Sequence, residues 1–114
     1  MTISLEVKVL QEEQGDKKQE LPKLSMLELI LAFFSSISSR TWARLGLVQD
    51  EYGDMYQNLK EARLGIDTLD AVLKVLKKEL SEDTYNEMEN LLSNLKLNYV
   101  HQSNKEKKNE ETSQ

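Results

Sequence analysis

The chain has 114 residues, 39% of them hydrophobic and 31% charged, which predicts a single globular domain rich in charged helix. It contains no cysteine, so disulfides and thiolate metal sites are excluded, and its net charge of -5 argues against a surface that attracts nucleic acid as a whole. No apolar run approaches the roughly 20 residues that a membrane-spanning helix needs, and the N-terminus lacks the pattern of a secretory signal. We therefore predict a cytoplasmic protein with no integral membrane association.

Residues 1–10 alternate between apolar and polar side chains, a pattern that predicts a strand-like arm with one wet face. The sequence offers no second strand, so the arm would pair with another subunit or with the sheet edge of another protein. Alternatively, it is a frayed terminus whose residues happen to alternate. The apolar positions of the arm are Ile3, Leu5, Val7 and Val9.

Residues 11–23 are mostly polar and predict a flexible linker, in which Pro22 prevents any helix from continuing.

The first helix is predicted over residues 26–45. Ser25 and Glu28 have the spacing of a capping box, and Gly46 suits a left-handed position just after the helix. Apolar residues cover roughly half of the circumference, more than the stripe that an ordinary surface helix needs. Small residues follow one another on the opposite side, where they either allow close approach of another helix or simply face water. These small residues are Ala32, Ser36, Ser39 and Ala43.

Two further helices are predicted over residues 59–79 and 82–101. In the second helix, Asn58 and Glu61 have capping-box spacing, and Gly65 would let a neighbouring backbone come close. Apolar residues recur at alternating spacings of three and four in both helices, which is typical of helices that pack at a shallow angle. The link between them is very short, so we expect an antiparallel hairpin with facing apolar stripes. These stripes are Leu59, Ala62, Ile66, Leu69, Leu73, Leu76 and Leu80, and Tyr85, Met88, Leu92, Leu95 and Tyr99.

The predicted fold is therefore all-α: a three-helix domain over residues 24–102, preceded by the strand-like arm. Residues 103–114 contain three lysines, three glutamates and no large apolar side chain. That composition predicts a disordered polar tail.

The sequence offers little that could carry catalysis. His101 is the only histidine and falls at the end of the last helix, where a solvent-exposed role is expected. The serine cluster of the first helix has no histidine nearby in sequence and no nucleophile-elbow motif. We predict that the protein is not an enzyme and binds no metal or cofactor. A basic patch could be assembled from Arg40, Arg44, Lys96 and the tail lysines at positions 105, 107 and 108, but the acidic total argues against nucleic acid as a partner.

Three short motifs resemble a small bacterial family known only as a domain of unknown function. They are the Leu-Gly pair at Leu45 and Gly46, the Tyr-Val pair at Tyr99 and Val100, and a segment Asn-Leu-x-x-Ala-x-x-x-Ile-Asp-x-Leu between them. The resemblance covers about residues 24–101 and implies a cytoplasmic helical domain with no assigned activity. Asp67 is the one acidic residue that the middle motif specifies. That segment comprises Asn58, Leu59, Ala62, Ile66, Asp67 and Leu69.

Three helices of this size cannot bury half of the surface of the first one. We therefore predict a homodimer or higher homo-oligomer, and the function predicted is that of a non-catalytic protein-interaction or scaffold module, whose other partners the sequence does not name. The alternative is a nucleic-acid- or ribosome-associated accessory protein. The residues predicted at the oligomer interface are Leu27, Ile30, Leu31, Phe34 and Ile37.

Overall fold

A computed structural model describes residues 23–113 and shows three helices. They are α1 (Met26–Arg44), α2 (Leu59–Leu76) and α3 (Glu82–Ser113), and the residues described contain no strand. The prediction of an all-α, three-helix domain is confirmed. The predicted strand-like arm and nearly all of the predicted linker lie outside the described residues.

Helix α1 begins and ends where its sequence predicts. The Ser25 hydroxyl accepts a hydrogen bond from the Glu28 N–H at 3.1 Å, and the Glu28 carboxylate accepts one from the Ser25 N–H at 3.0 Å. This capping box satisfies two backbone donors that a helix start leaves free. After the helix, Gly46 has a φ of 84°, a left-handed conformation that glycine adopts without a steric penalty.

Helix α2 has only half of its predicted capping box. The Asn58 side chain accepts a hydrogen bond from the Glu61 N–H at 3.1 Å, as expected. The reciprocal bond is missing, because the Asn58 N–H donates to the Arg44 carbonyl at 2.8 Å and the Glu61 carboxylate lies 3.6 Å from the Arg44 guanidinium. Tertiary contacts with the end of α1 have therefore replaced the local bond.

Helix α2 is the central element of the fold. It packs against both α1 and α3, whereas α1 and α3 make little contact with each other. The radius of gyration is 17.3 Å, well above the roughly 12–13 Å of a compact chain of this length. Among residues 23–113, one side of α1 is therefore left without a neighbouring helix. The buried apolar core consists of Phe34, Ala43, Leu45, Ala62, Ile66, Leu69, Leu73, Leu76, Met88, Leu92 and Leu95.

Helix α3 is longer than the sequence predicts. It continues to Ser113, so most of the segment predicted as a disordered tail is helical. Lysine, glutamate and glutamine have good helix propensity, and a helix already nucleated by core packing extends at low cost. Gln102 also accepts a hydrogen bond from the Gln57 side chain at 3.2 Å, which ties this part of α3 to the loop before α2.

Gly65 of α2 lies directly against Thr41 of α1. A Cβ added at this position would lie 2.1 Å from the Thr41 hydroxyl oxygen and 3.2 Å from the Thr41 Cβ. Thr41 is 2% exposed, and its hydroxyl donates to the Ile37 carbonyl at 2.7 Å, so the side chain has no room to move. A neighbouring helix does come close at Gly65, but the group in contact is the Thr41 side chain and not the backbone that the sequence predicts.

We expect Gly65→Ala to destabilise the domain by about 1–3 kcal/mol, the usual cost of overpacking, although alanine is the better helix former. The double variant Gly65→Ala/Thr41→Ala removes the obstructing hydroxyl and should be less destabilised than the sum of the two single variants. Urea denaturation of the four proteins measures this coupling. A stabilising effect of Gly65→Ala would show that the contact is looser than described.

Candidate interaction surface

One side of α1 is exposed to solvent and uncharged. Met26, Leu29 and Phe33 are 71%, 40% and 57% exposed, respectively. Beside them lie three small residues that are also exposed. No charged residue occurs between Leu29 and Ser39. Depletion of charge together with exposed aromatic and methionine side chains is typical of protein interfaces. We call this surface the α1 face, and it consists of Met26, Leu29, Ala32, Phe33, Ser36 and Ser39.

The five residues predicted at an oligomer interface lie nearer the core than the α1 face. Phe34 is 4% exposed and belongs to the core of its own chain. The other four, Leu27, Ile30, Leu31 and Ile37, are half-buried and pack against that core. The interface itself stays a prediction. The sequence shows that apolar residues cover roughly half of the circumference of α1, but it does not show which of them α2 covers. Met26, Leu29 and Phe33 are therefore missing from the predicted interface set.

The small residues of α1 do not form one packed stripe within the chain. Ala43 is fully buried, whereas Ala32, Ser36 and Ser39 are exposed. Ser38 and Thr41 are buried instead, and Thr41 lies against Gly65 of α2. Within this chain, three of the four small residues therefore face water, as the second interpretation of the sequence expected.

The end of α1 holds the following loop through a buried ion pair. The Arg44 guanidinium binds the Asp50 carboxylate, and the two side chains are only 4% and 1% exposed. Arg44 also donates to the Tyr56 carbonyl at 3.3 Å and lies over the Tyr56 ring, 3.8 Å from its centroid. Asp50 in turn accepts hydrogen bonds from the N–H groups of Tyr52 and Asp54, both at 2.9 Å. Both buried charges are therefore paired.

A second arginine repeats this arrangement at the surface. Arg40 donates to the Glu51 carboxylate at 2.7 Å through Nε and lies 2.5 Å from its other oxygen through Nη2. Its guanidinium also lies 5.6 Å from the centroid of the Tyr52 ring. The hydrogen bond from Arg40 lowers the pKa of Glu51. Because these side chains are 42% and 56% exposed, solvent screens the pair and it contributes little to stability.

Burial and hydrogen bonding shift the pKa of the Asp50 carboxyl group in opposite directions. Burial raises its pKa, but hydrogen bonds from the Asp54 N–H, the Arg44 guanidinium and the Tyr52 N–H outweigh burial, so the pKa of Asp50 is lowered from 3.8. A lowered folded pKa means that the ionised group stabilises the fold. That contribution is complete above the unfolded pKa and is lost as the pH falls through the folded one.

We therefore expect the difference in melting temperature between the native chain and Asp50→Asn to shrink as the pH falls below about 4, where the carboxyl of the unfolded chain takes up a proton. The difference should be lost once the pH has fallen through the lower pKa of the folded chain. Thermal melts of both proteins from neutral pH down to acid measure it. The comparison removes the effect of the other carboxylates, which titrate in both proteins. A difference that stays constant with pH would contradict the role given to the Asp50 charge.

The residues considered for catalysis do not come together. Ser38 is buried, the other serines of α1 are not, and His101 is exposed on α3. A surface pocket of about 240 Å³ between α2 and α3 contains Asp70, but this carboxylate is bound by Lys74 at 3.1 Å and by Lys96 at 3.3 Å. Across residues 23–113, no cluster of histidine or carboxylate side chains is placed to hold a metal ion. That the protein is not an enzyme stays a prediction.

The described chain is thus a small all-α domain with an exposed, uncharged apolar helix face and a loop fixed by paired arginines. It belongs to the family described as Domain of unknown function (DUF1844), whose family model matches residues 26–101. The match extends from the start of α1 to His101 in α3 and confirms the resemblance seen in the sequence.

Other comparisons add no further relatives. Neither the curated proteins nor the solved structures include a match to this chain. In the part of the chain that the structure describes, no helix has the length and apolar character needed to cross a membrane.

Proposed function

We propose that this domain is a non-catalytic protein-interaction module that acts as a homo-oligomer. The observation that carries the proposal is the α1 face, where Met26 and Phe33 stay more than half exposed although the chain has a well-formed core. Exposed apolar surface has a cost in water, and on a soluble domain a contiguous patch of it marks an interaction site. The cytoplasmic location remains a prediction from the sequence.

The arrangement of α2 and α3 supports the antiparallel hairpin that forms part of this proposal. Gln57, just before α2, bonds to Gln102 late in α3, and Asp70 in the middle of α2 binds Lys96. At the other end, the Lys77 amine lies 5.8 Å from the centroid of the Tyr85 ring. A hairpin of this kind buries the apolar stripe of α2 against α3 and against one side of α1, which leaves the α1 face free for a partner.

The alternative, a nucleic-acid- or ribosome-associated accessory protein, has less support. Of the cations considered for a basic patch, Arg40 is bound by Glu51, Arg44 by Asp50 and Lys96 by Asp70. A phosphate group would have to displace these partners. The lysines of the predicted tail lie near the C-terminal end of α3. Salt-dependent retention on a nucleic-acid column would nevertheless favour this alternative over the interaction module.

Light scattering after gel filtration tests the proposal, and we expect a mass above that of one chain at micromolar concentration. Phe33→Glu should shift the protein to monomer, because it places a charge in the α1 face without disturbing the core. Val75→Glu is the matched control, since Val75 is 73% exposed on α2 and receives the same charge. It should leave the mass unchanged.

Two results would count against the proposal. A clean monomer for the native chain at micromolar concentration would remove the homo-oligomer. Equal effects of Phe33→Glu and Val75→Glu would show that the α1 face has no special role.

A further inference from the structure

Resting on the homo-oligomer proposed above, we propose that two copies of this chain pack their α1 faces together in an antiparallel, two-fold symmetric contact. In this contact Leu29 of each copy lies against the small side chain of Ser36 in the other, and the two Phe33 rings meet at the symmetry axis.

The order of large and small side chains along α1 indicates whether two copies pack parallel or antiparallel. At about 100° per residue, Leu29 and Ser36 fall within about 20° of each other, on the midline of the exposed face. Ala32 and Phe33 lie between them along the helix, one on each side of that midline. All four residues are exposed. The midline therefore has a large residue toward its N-terminal end and a small one two turns later.

Antiparallel packing matches these volumes, and parallel packing does not. An antiparallel partner sets Leu29 against Ser36 at both ends of the contact, so that the two helices stay evenly spaced. A parallel partner would set Leu29 against Leu29 and leave a gap between the two Ser36 side chains, and gaps in an interface lose packing contacts. Antiparallel helix dipoles also attract, whereas parallel ones repel.

Charge explains why a second copy can approach here. The chain has a net charge of -5, so two copies repel each other over most of their surface. The part of the α1 face from Leu29 to Ser39 has no charged residue and is free of that repulsion. At its N-terminal end, Glu28 is held by the Ser25 N–H in the capping box. Just beyond Ser39, Arg40 is already paired with Glu51, so the edge of the face carries little net charge.

The size of the face sets the strength of the contact. Met26 to Ser39 spans about 20 Å of helix, which makes a surface at the small end of specific protein interfaces. A contact of this size forms a dimer that dissociates on dilution, while each chain keeps its own core.

Cysteine cross-linking tests the arrangement directly, because the chain has no cysteine of its own. Leu29→Cys and Ser36→Cys are made as separate chains, one of them with a mass tag, mixed in equal amounts and oxidised mildly. We expect the mixed disulfide in several-fold excess over either disulfide between identical chains. The matched control replaces Ser36→Cys with Ser35→Cys, an exposed neighbour that lies off the face, and should give little mixed product.

Each outcome decides the inference. An excess of the mixed Leu29→Cys/Ser36→Cys product supports it, whereas an excess of disulfides between identical chains indicates parallel packing and overturns it. Mixed product no greater than with Ser35→Cys also overturns it. Light scattering then separates the two proposals. A dimer that lacks this cross-link would support a homo-oligomeric interaction module that associates through another surface. A monomer would contradict both proposals.

Discussion

Replacing Arg44 with methionine is expected to destabilise the domain by about 3–5 kcal/mol, the usual cost of removing one partner from a buried ion pair. The Arg44 and Asp50 side chains are 4% and 1% exposed, so water cannot replace the lost guanidinium. The variant would also lose the stacking on Tyr56 and the bond to the Tyr56 carbonyl. Urea denaturation at a fixed protein concentration measures the change in the free energy of unfolding.

Two further variants show whether burial is the cause. Arg40→Met removes the same type of side chain one turn earlier, along with its pairing to Glu51 and its contact with Tyr52. Because that pair is exposed to solvent, we expect a cost of only about 0–1 kcal/mol. Arg44→Met/Asp50→Asn leaves no unpaired charge and should be more stable than Arg44→Met alone. Equal losses for Arg44→Met and Arg40→Met would contradict this account of the loop.

Truncating Leu69 to alanine is expected to cost about 2–5 kcal/mol, because a fully buried side chain in the central helix would leave a cavity. Leu69 lies in the middle of α2, which packs against both other helices, so neither neighbour can move in to fill the space without leaving its remaining contacts. For a domain of this size, the loss corresponds to a fall in melting temperature of roughly 4–8 °C for each kcal/mol.

Leu64→Ala provides the matched control for this truncation. Leu64 is on the same helix but is 67% exposed, so its loss should change stability by no more than about 0.5 kcal/mol. The two variants share the same chemistry and the same gain in helix propensity. If both lost the same stability, the core would not be organised around α2 as described.

The positions of the helices and of their buried stripes were predictable from the sequence. The Ser25–Glu28 capping box and the left-handed Gly46 are local features, because each depends on residues within one turn of the helix end. The alternating spacings of three and four predicted the buried residues correctly from Ala62 to Leu76 in α2 and from Met88 to Leu95 in α3, whereas Leu80 and Tyr85 are only half-buried. A helix with one apolar stripe has a single way to bury it.

Contacts between elements were not predictable in this way. The sequence suggested Arg44 as part of a basic patch, but its guanidinium is buried against Asp50 in the loop. The residue types in a loop do not show which side chain of another element they will contact. Likewise, α3 extends beyond its apolar stripe, and a polar segment of lysine and glutamate fits a helix or a disordered tail equally well.

The sequence by itself determined that this protein is a three-helix domain whose first helix has apolar side chains around roughly half of its circumference. Only the tertiary structure decided which of these side chains are buried. Because α2 lies between α1 and α3 and covers one side of α1, Phe34 enters the core while Met26, Leu29 and Phe33 are exposed among the residues described. A helix with so wide an apolar surface has no single side that must be buried, so the packing of α2 determines which side is covered.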